Sequence, residues 1–138
     1  SRRVGQAFIE NAIRGKNLTI NGDGTDALDF TYIGDLVQGI TLALEKPAAR
    51  NQTFNLTYGQ GRSLNDLAGI VQKHFPGTKI EYHPRDKLMP ERGTLSIEKA
   101  KTLLGYTPRF AIEEGFEQYI GWYKGLHNRE ASLFRPGG

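Results

Sequence analysis

The stretch from Asn17 to Leu36 limits what this chain can become more than any other part of it. Leu18-Thr19-Ile20 alternates as a short strand, Gly22-Asp23-Gly24 makes a tight loop, and Phe30, Tyr32 and Ile33 give the next extended run the aromatic and β-branched content of a half-buried strand. Two glycines around one aspartate suit a backbone that takes positive φ or comes close to a ligand. Asp23 itself has the chemistry of an Asx turn. Asp35 stands before Leu36-Val37, with Ile40, Leu42, Ala43 and Leu44 following at roughly helical spacing. A carboxylate there is expected to cap the amides of a first helical turn.

The rest of the chain reads as helices and short strands. Val4, Ala7, Phe8, Ala12 and Ile13 make an amphipathic helix over 2–14, which Gly15 stops. The helix after Asp35 is expected to run to about Lys46, where Pro47 ends it. Gln52 to Tyr58 alternates as a strand, Ser63 caps a helix with the stripe Leu64, Leu67, Ala68, Val71, His74 and Phe75, and Lys79 to His83 is a short strand near an edge. Pro84 to Thr94 has no periodicity, the pattern of a long functional or disordered loop. Ser96 opens a short helix ending at Gly105. Ile112, Phe116, Tyr119, Ile120, Tyr123 and Leu126 mark a last helix from about 112 to 127, with Trp122 read as packing. Residues 128–138 are expected to be a flexible tail.

Composition excludes several functions. The chain has 138 residues, a net charge of +3 and no basic run interleaved with aromatics, which leaves nucleic-acid binding without support. It has no cysteine, so a disulfide framework, a thiolate metal site and a thiol nucleophile are absent, which fits a cytoplasmic protein. His74 and His83 lack partners at metal-ligand spacing, and no metal is expected. No apolar run reaches the roughly 20 residues of a membrane span. The chain opens at Ser1-Arg2-Arg3 inside a helical pattern and reads as a fragment.

Taken in order, Gly22-Asp23-Gly24, Asp29-Phe30, Tyr32-Ile33 with Asp35, Phe54-Asn55-Leu56, Ser63-Leu64-Asn65-Asp66-Leu67, and Ser96-Ile97-Glu98-Lys99-Ala100-Lys101 with Leu104-Gly105-Tyr106-Thr107-Pro108 form a pattern. It resembles the C-terminal, substrate-binding portion of the extended short-chain dehydrogenase/reductases, the NAD-dependent nucleotide-sugar epimerases and dehydratases. The implied fold is a small mixed α/β substrate domain over 1–127, with short strands and about five helices. It is the C-terminal part of that fold with the Rossmann half missing. The resemblance implies a nucleotide diphosphate-sugar as ligand, held by the backbone of Leu18, Thr19, Ile20 and Asn21, by Asn55, and by Arg85 or Arg92, whose guanidinium forks suit oxyanions. These residues are expected to share one hollow, with Ile20, Asn55 and Arg85 as its markers. The family usually carries a diphosphate-contacting arginine where this chain has Leu28. That charge must come from elsewhere.

The same resemblance implies what the chain lacks. The family's other half holds a Gly-x-x-Gly-x-x-Gly turn for NAD and a Tyr-x-x-x-Lys pair for proton transfer, and neither occurs here. NAD is therefore expected in a parent enzyme and not on these residues. No catalytic residue is assigned. The expected activity of the parent is epimerisation at the sugar 4-position, with 4,6-dehydration as the alternative. A stand-alone nucleotide- or protein-binding module and an inactive remnant are the other readings. The expected partners are a Rossmann half or a second copy, because the Leu36 helix and the Phe54 strand would otherwise lack theirs.

Overall fold

The computed structural model describes residues 3–88, 90 and 92–133. Helix α1 (Val4–Ile13) leads into strand β1 (Leu18–Asn21), followed by β2 (Ala27–Leu28), helix α2 (Ile33–Glu45) and a 3-10 turn at Pro47–Ala49. Then come β3 (Arg62–Ser63), α3 (Leu64–His74), β4 (Ile80–His83), α4 (Glu98–Leu104) and α5 (Ile112–Leu133). The strands form two small sheets. β1 and β4 pair in parallel, Leu18 opposite Ile80 and Asn21 opposite His83. β2 and β3 pair antiparallel, Ala27 opposite Ser63.

Two apolar clusters carry the fold. The larger is built by α1, β1, α3 and α5, whose Phe8, Ile9, Leu18, Ile20, Leu67, Val71 and Ile120 are buried. The period of 3.6 in α1, α3 and α5 meets the period of 2 in β1, where Leu18 and Ile20 turn inward and Thr19 and Asn21 outward. α3 begins with a capping box. Ser63 Oγ accepts from Asp66 N at 3.0 Å, and Ser63 N donates to Asp66 Oδ2 at 3.0 Å. The smaller cluster gathers Ile97, Ala100, Leu104 and Tyr106 against Leu42, Ala43, Phe54 and Leu56. Gly39 of α2 is required there, since a Cβ would press on Leu56 and on the Tyr106 ring.

Four expectations change. The extended run after Leu28 forms no strand beyond Ala27–Leu28, because Asp29 leaves the ladder to bind other loops and Tyr32 packs on Phe110, ring centroids 4.6 Å apart. Asp35 is not the cap of its helix. α2 starts at Ile33, two residues before Asp35, and the buried Asp35 carboxylate (4% exposed) accepts from Arg109 N at 3.0 Å and Phe110 N at 2.9 Å. Residues 52–58 contain no strand, since no neighbouring strand among the described residues pairs with them. The last helix runs past His127 to Leu133. This overruns the first residues assigned to a tail; 134–138 lie outside the described residues. Smaller shifts occur at Ser96, whose Oγ accepts from Glu98 N at 3.4 Å while α4 starts at Glu98.

Tyr106 is fully buried, and its hydroxyl donates to Thr57 O at 3.1 Å. Burial first, then the charges of Asp35 and Asp29, push its ionisation from 10.0 up to about 12. The folded state therefore keeps a proton that the unfolded chain loses sooner. Stability from this group is intact below 10.0 and falls as the pH rises from there to about 12. Replacing it by Phe should cost about 1 kcal/mol at neutral pH for the lost hydrogen bond. It should also flatten the alkaline decline, read from urea midpoints across that window. An equally steep decline in Tyr106→Phe would show that other groups drive it.

Candidate functional site

The glycine loop that organises the sequence is occupied by the protein itself. Gly22 and Gly24 take φ of 93° and 79°, and Asp23 Oδ1 accepts from Thr25 N at 2.9 Å and Thr25 Oγ1 at 2.6 Å, an Asx turn. These bonds, led by the Thr25 hydroxyl, hold the Asp23 carboxyl below its usual 3.8. The Asn65 side chain lies over Gly24, where a Cβ would collide with it, and its Nδ2 donates to Asp23 O at 3.0 Å. Asn65 N donates to Gly24 O at 3.1 Å, and Tyr82 Oη donates to Asn65 Oδ1 at 3.0 Å. The close approach that Gly24 permits is to Asn65 of α3.

Beside this loop lies an open hollow of about 1440 Å³. Its walls are the first turn of α1, the β1 edge, the Asp26–Ile33 segment, the Pro90–Gly93 arm and the start of α5. The parallel ladder decides what β1 offers. Leu18 N donates to Lys79 O and Gly22 N to His83 O, both at 2.8 Å, so even-numbered residues spend their backbone groups on β4. Thr19 and Asn21 then turn theirs to the open edge.

Among the expected site residues, Thr19, Ile20, Asn21 and Arg92 line the hollow. Leu18 is buried in the larger cluster and does not. Asn55 is on another surface. Phe54 and Leu56 turn into the smaller cluster, which faces Asn55 outward to donate its Nδ2 to Ser96 O at 3.0 Å. Arg85 stands outside the lining. Its guanidinium pairs with Asp26, which does line the hollow, and its stem passes Gly22. Ile20, Asn55 and Arg85 thus do not share one hollow, and that expectation is corrected. Leu28 and Arg92 both line this hollow, so it has a cation although the position of the missing arginine holds Leu28.

The aromatic side of the site was not anticipated. Tyr32, Phe110, Tyr119 and Trp122 line the hollow, and Trp122 is 55% exposed, stacked on Tyr119 with centroids 6.3 Å apart. Tyr32 Oη donates to Gln118 Oε1 at 2.7 Å. The signal was the density of Tyr119, Trp122 and Tyr123 on one helix, which core packing explains equally well.

Among the described residues no cluster of three His, Asp or Glu is placed to hold a metal, and no helix is long and apolar enough to cross a membrane. A dinucleotide site needs a glycine turn whose free amides meet phosphate at a helix N-terminus. The glycine loop here is filled by Asn65 and leads into the short strand β2. This loop does not fit the NAD pyrophosphate.

Residues 1–57 match the NAD dependent epimerase/dehydratase family. A protein named "uncharacterized UDP-glucose epimerase YtcB", from Bacillus subtilis, is 34% identical over 125 residues, 89% of this chain and 39% of its own length. UDP-glucuronic acid decarboxylase 4 of Arabidopsis thaliana is 34% identical over 114 residues, 82% of this chain and 25% of its own. The UDP-glucuronic acid 4-epimerase of Bacillus cereus, solved with UDP-glucuronic acid and NAD, superposes with a TM-score of 0.82 at 28% identity, covering 90% of this chain and 40% of that one. The fold is part of the extended short-chain dehydrogenase/reductase fold. The chain matches the NAD-dependent epimerase/dehydratase family over residues 1–57, resembles these relatives over most of its own length, and spans well under half of theirs.

The Asn65 contact predicts a local cost. Gly24→Ala places a side chain at positive φ and against Asn65, and should lower stability by about 1–3 kcal/mol from the backbone alone. In an Asn65→Ala background the clash disappears and the penalty should shrink, as thermal or urea unfolding of the four proteins would reveal.

Proposed function

We propose that this chain is the nucleotide-sugar-binding portion of an NAD-dependent UDP-sugar enzyme, most closely a 4-epimerase, that is inactive by itself. The observation that carries the reading is the open β1 edge facing the hollow together with Arg92. Backbone donors and acceptors at Thr19 and Asn21 suit the edge of a base, and a guanidinium suits a diphosphate. Ile20 supplies apolar wall. Relatives named for epimerisation and for decarboxylation match this chain at the same identity. The shared part therefore follows what their names have in common, a UDP-linked sugar, rather than the reaction. In such a parent NAD and the proton-transferring groups would sit on the other half, consistent with the poor fit of the glycine loop to the NAD pyrophosphate. A cytoplasmic location and a domain over 1–127 belong to the same reading. A 4,6-dehydratase would use this half in the same way.

Two features support a covering partner. The hollow exceeds the roughly 300–1,000 Å³ of an ordinary ligand site, leaving room for a wall supplied by other polypeptide. On α2, Ile33, Val37, Ile40 and Leu44 are 64%, 53%, 46% and 83% exposed and fall at i, i+4, i+7 and i+11, a continuous apolar stripe. A Rossmann half is the natural cover, and a second copy is its substitute when that half is absent.

Titration calorimetry of the 138-residue chain should give saturable heat with UDP and none with NAD. Arg92→Met should weaken UDP by about 10- to 100-fold, the value of one charge-assisted contact, and leave uridine unchanged. Absence of UDP binding would overturn the reading. By light scattering the same chain should self-associate at high concentration, and Val37→Glu with Leu44→Glu should return it to monomer. A monodisperse wild-type monomer would remove the case for a covering partner.

A further inference from the structure

We infer that Asp29 is the positioning residue for Arg92, a carboxylate strut that holds the Arg92 arm against the hollow so that its guanidinium meets the ligand's diphosphate. This deepens the nucleotide-sugar reading and rests on it.

Asp29 stands where three segments meet. Its Oδ2 accepts from Leu95 N at 3.1 Å and its Oδ1 from Gly59 N at 3.3 Å, partners 66 and 30 residues away. Leu95 ends the arm that brings Pro90, Arg92 and Gly93 to the hollow. A second strut lies one residue away, where Gly61 N donates to Thr94 Oγ1 at 2.9 Å. Among the described residues from Pro84 through Ile97 the arm has no helix or strand of its own, so these side-chain bonds fix its backbone. Arginine carries about 2 kcal/mol of rotamer entropy, and an arm loose as well would add backbone freedom to what binding must remove.

The carboxylate is also suited to this role by its location. Asp29 itself lines the hollow. A free carboxylate there would repel a diphosphate. With each oxygen accepting a backbone N–H, its charge is spent on the two loops instead of facing the ligand. Both bonds require an acceptor. Asparagine keeps one and turns an NH₂ toward the other amide, so Asp29→Asn changes one strut with little change in volume.

The test is a double-mutant cycle on the full chain, with UDP and uridine as probes and calorimetry as the readout. Asp29→Asn should weaken UDP about tenfold and leave uridine unchanged. In an Arg92→Met background the same change should have no further effect on UDP. Amide exchange at Leu95 should quicken in Asp29→Asn while exchange in α1 and α3 stays slow. Equal losses for UDP and uridine, additive effects of the two substitutions, unaltered exchange at Leu95, or full UDP affinity in Arg92→Met would each overturn the assignment. If Asp29→Asn does not fold, Thr94→Val removes the neighbouring strut and is judged by the same criteria. Wild-type chain that binds no UDP defeats the nucleotide reading and this inference together. Wild-type chain that binds UDP but shows additivity defeats the inference alone.

Discussion

The Asp35 carboxylate joins the two apolar clusters. It is buried, it sits in the first turn of α2, and both its oxygens accept amides from the chain just before α5. α2 belongs to the smaller cluster and α5 to the larger, so this pair of bonds fixes one relative to the other. Apolar packing alone permits sliding; two backbone amides converging on one carboxylate do not. Such charge-assisted bonds are worth more than neutral ones, and removing the acceptor strands both donors.

Asp35 is the last of three carboxylates in one short segment that each reach a distant part of the chain. Asp26 takes Arg85, Asp29 takes the amides of Gly59 and Leu95, and Asp35 takes those of Arg109 and Phe110. The segment from 26 to 35 is therefore stretched between anchors, which explains why it is not a longer strand. A ladder needs its backbone groups in register with a neighbour, whereas this stretch is held by its side chains. Asp26 and residues 28–33 of this segment line the hollow.

This division explains what could be read from the sequence. Elements set by local chemistry were legible: the Ser63 cap, the α1 and α3 stripes, the alternation of β1 and the short strand β4. The 26–35 segment was not, because the partners of Asp29 and Asp35 lie 30 to 75 residues away and no period in a window of local sequence encodes them. Capping chemistry gave Asp35 a reasonable local role, and a tertiary bond displaced it. For the site, Thr19 to Asn21 and Arg92 were named on resemblance and line the hollow. Asn55 and Arg85 were named on the same grounds but are held by Ser96 and Asp26. Motif membership specifies residue type and order, while hollow membership depends on which face of an element points inward. The aromatic wall of Tyr32, Phe110, Tyr119 and Trp122 shows the converse, since ring residues on a helix satisfy packing and recognition by the same pattern.

The α2 helix carries this argument one step further. Its inner side sets Gly39, Leu42 and Ala43 against the smaller cluster, and its outer side carries Ile33, Val37, Ile40 and Leu44. A helix at the surface of a finished domain has one apolar stripe and one polar face, whereas a helix apolar on both sides is composed for burial between two layers. Among the described residues only one of those layers is present. The 52–58 run has the alternation of a strand and, among the described residues, no neighbour to pair with. Under the proposed function one complement would serve both the extended run and the uncovered helix face, a sheet that adds the first at its edge and buries the second beneath its face.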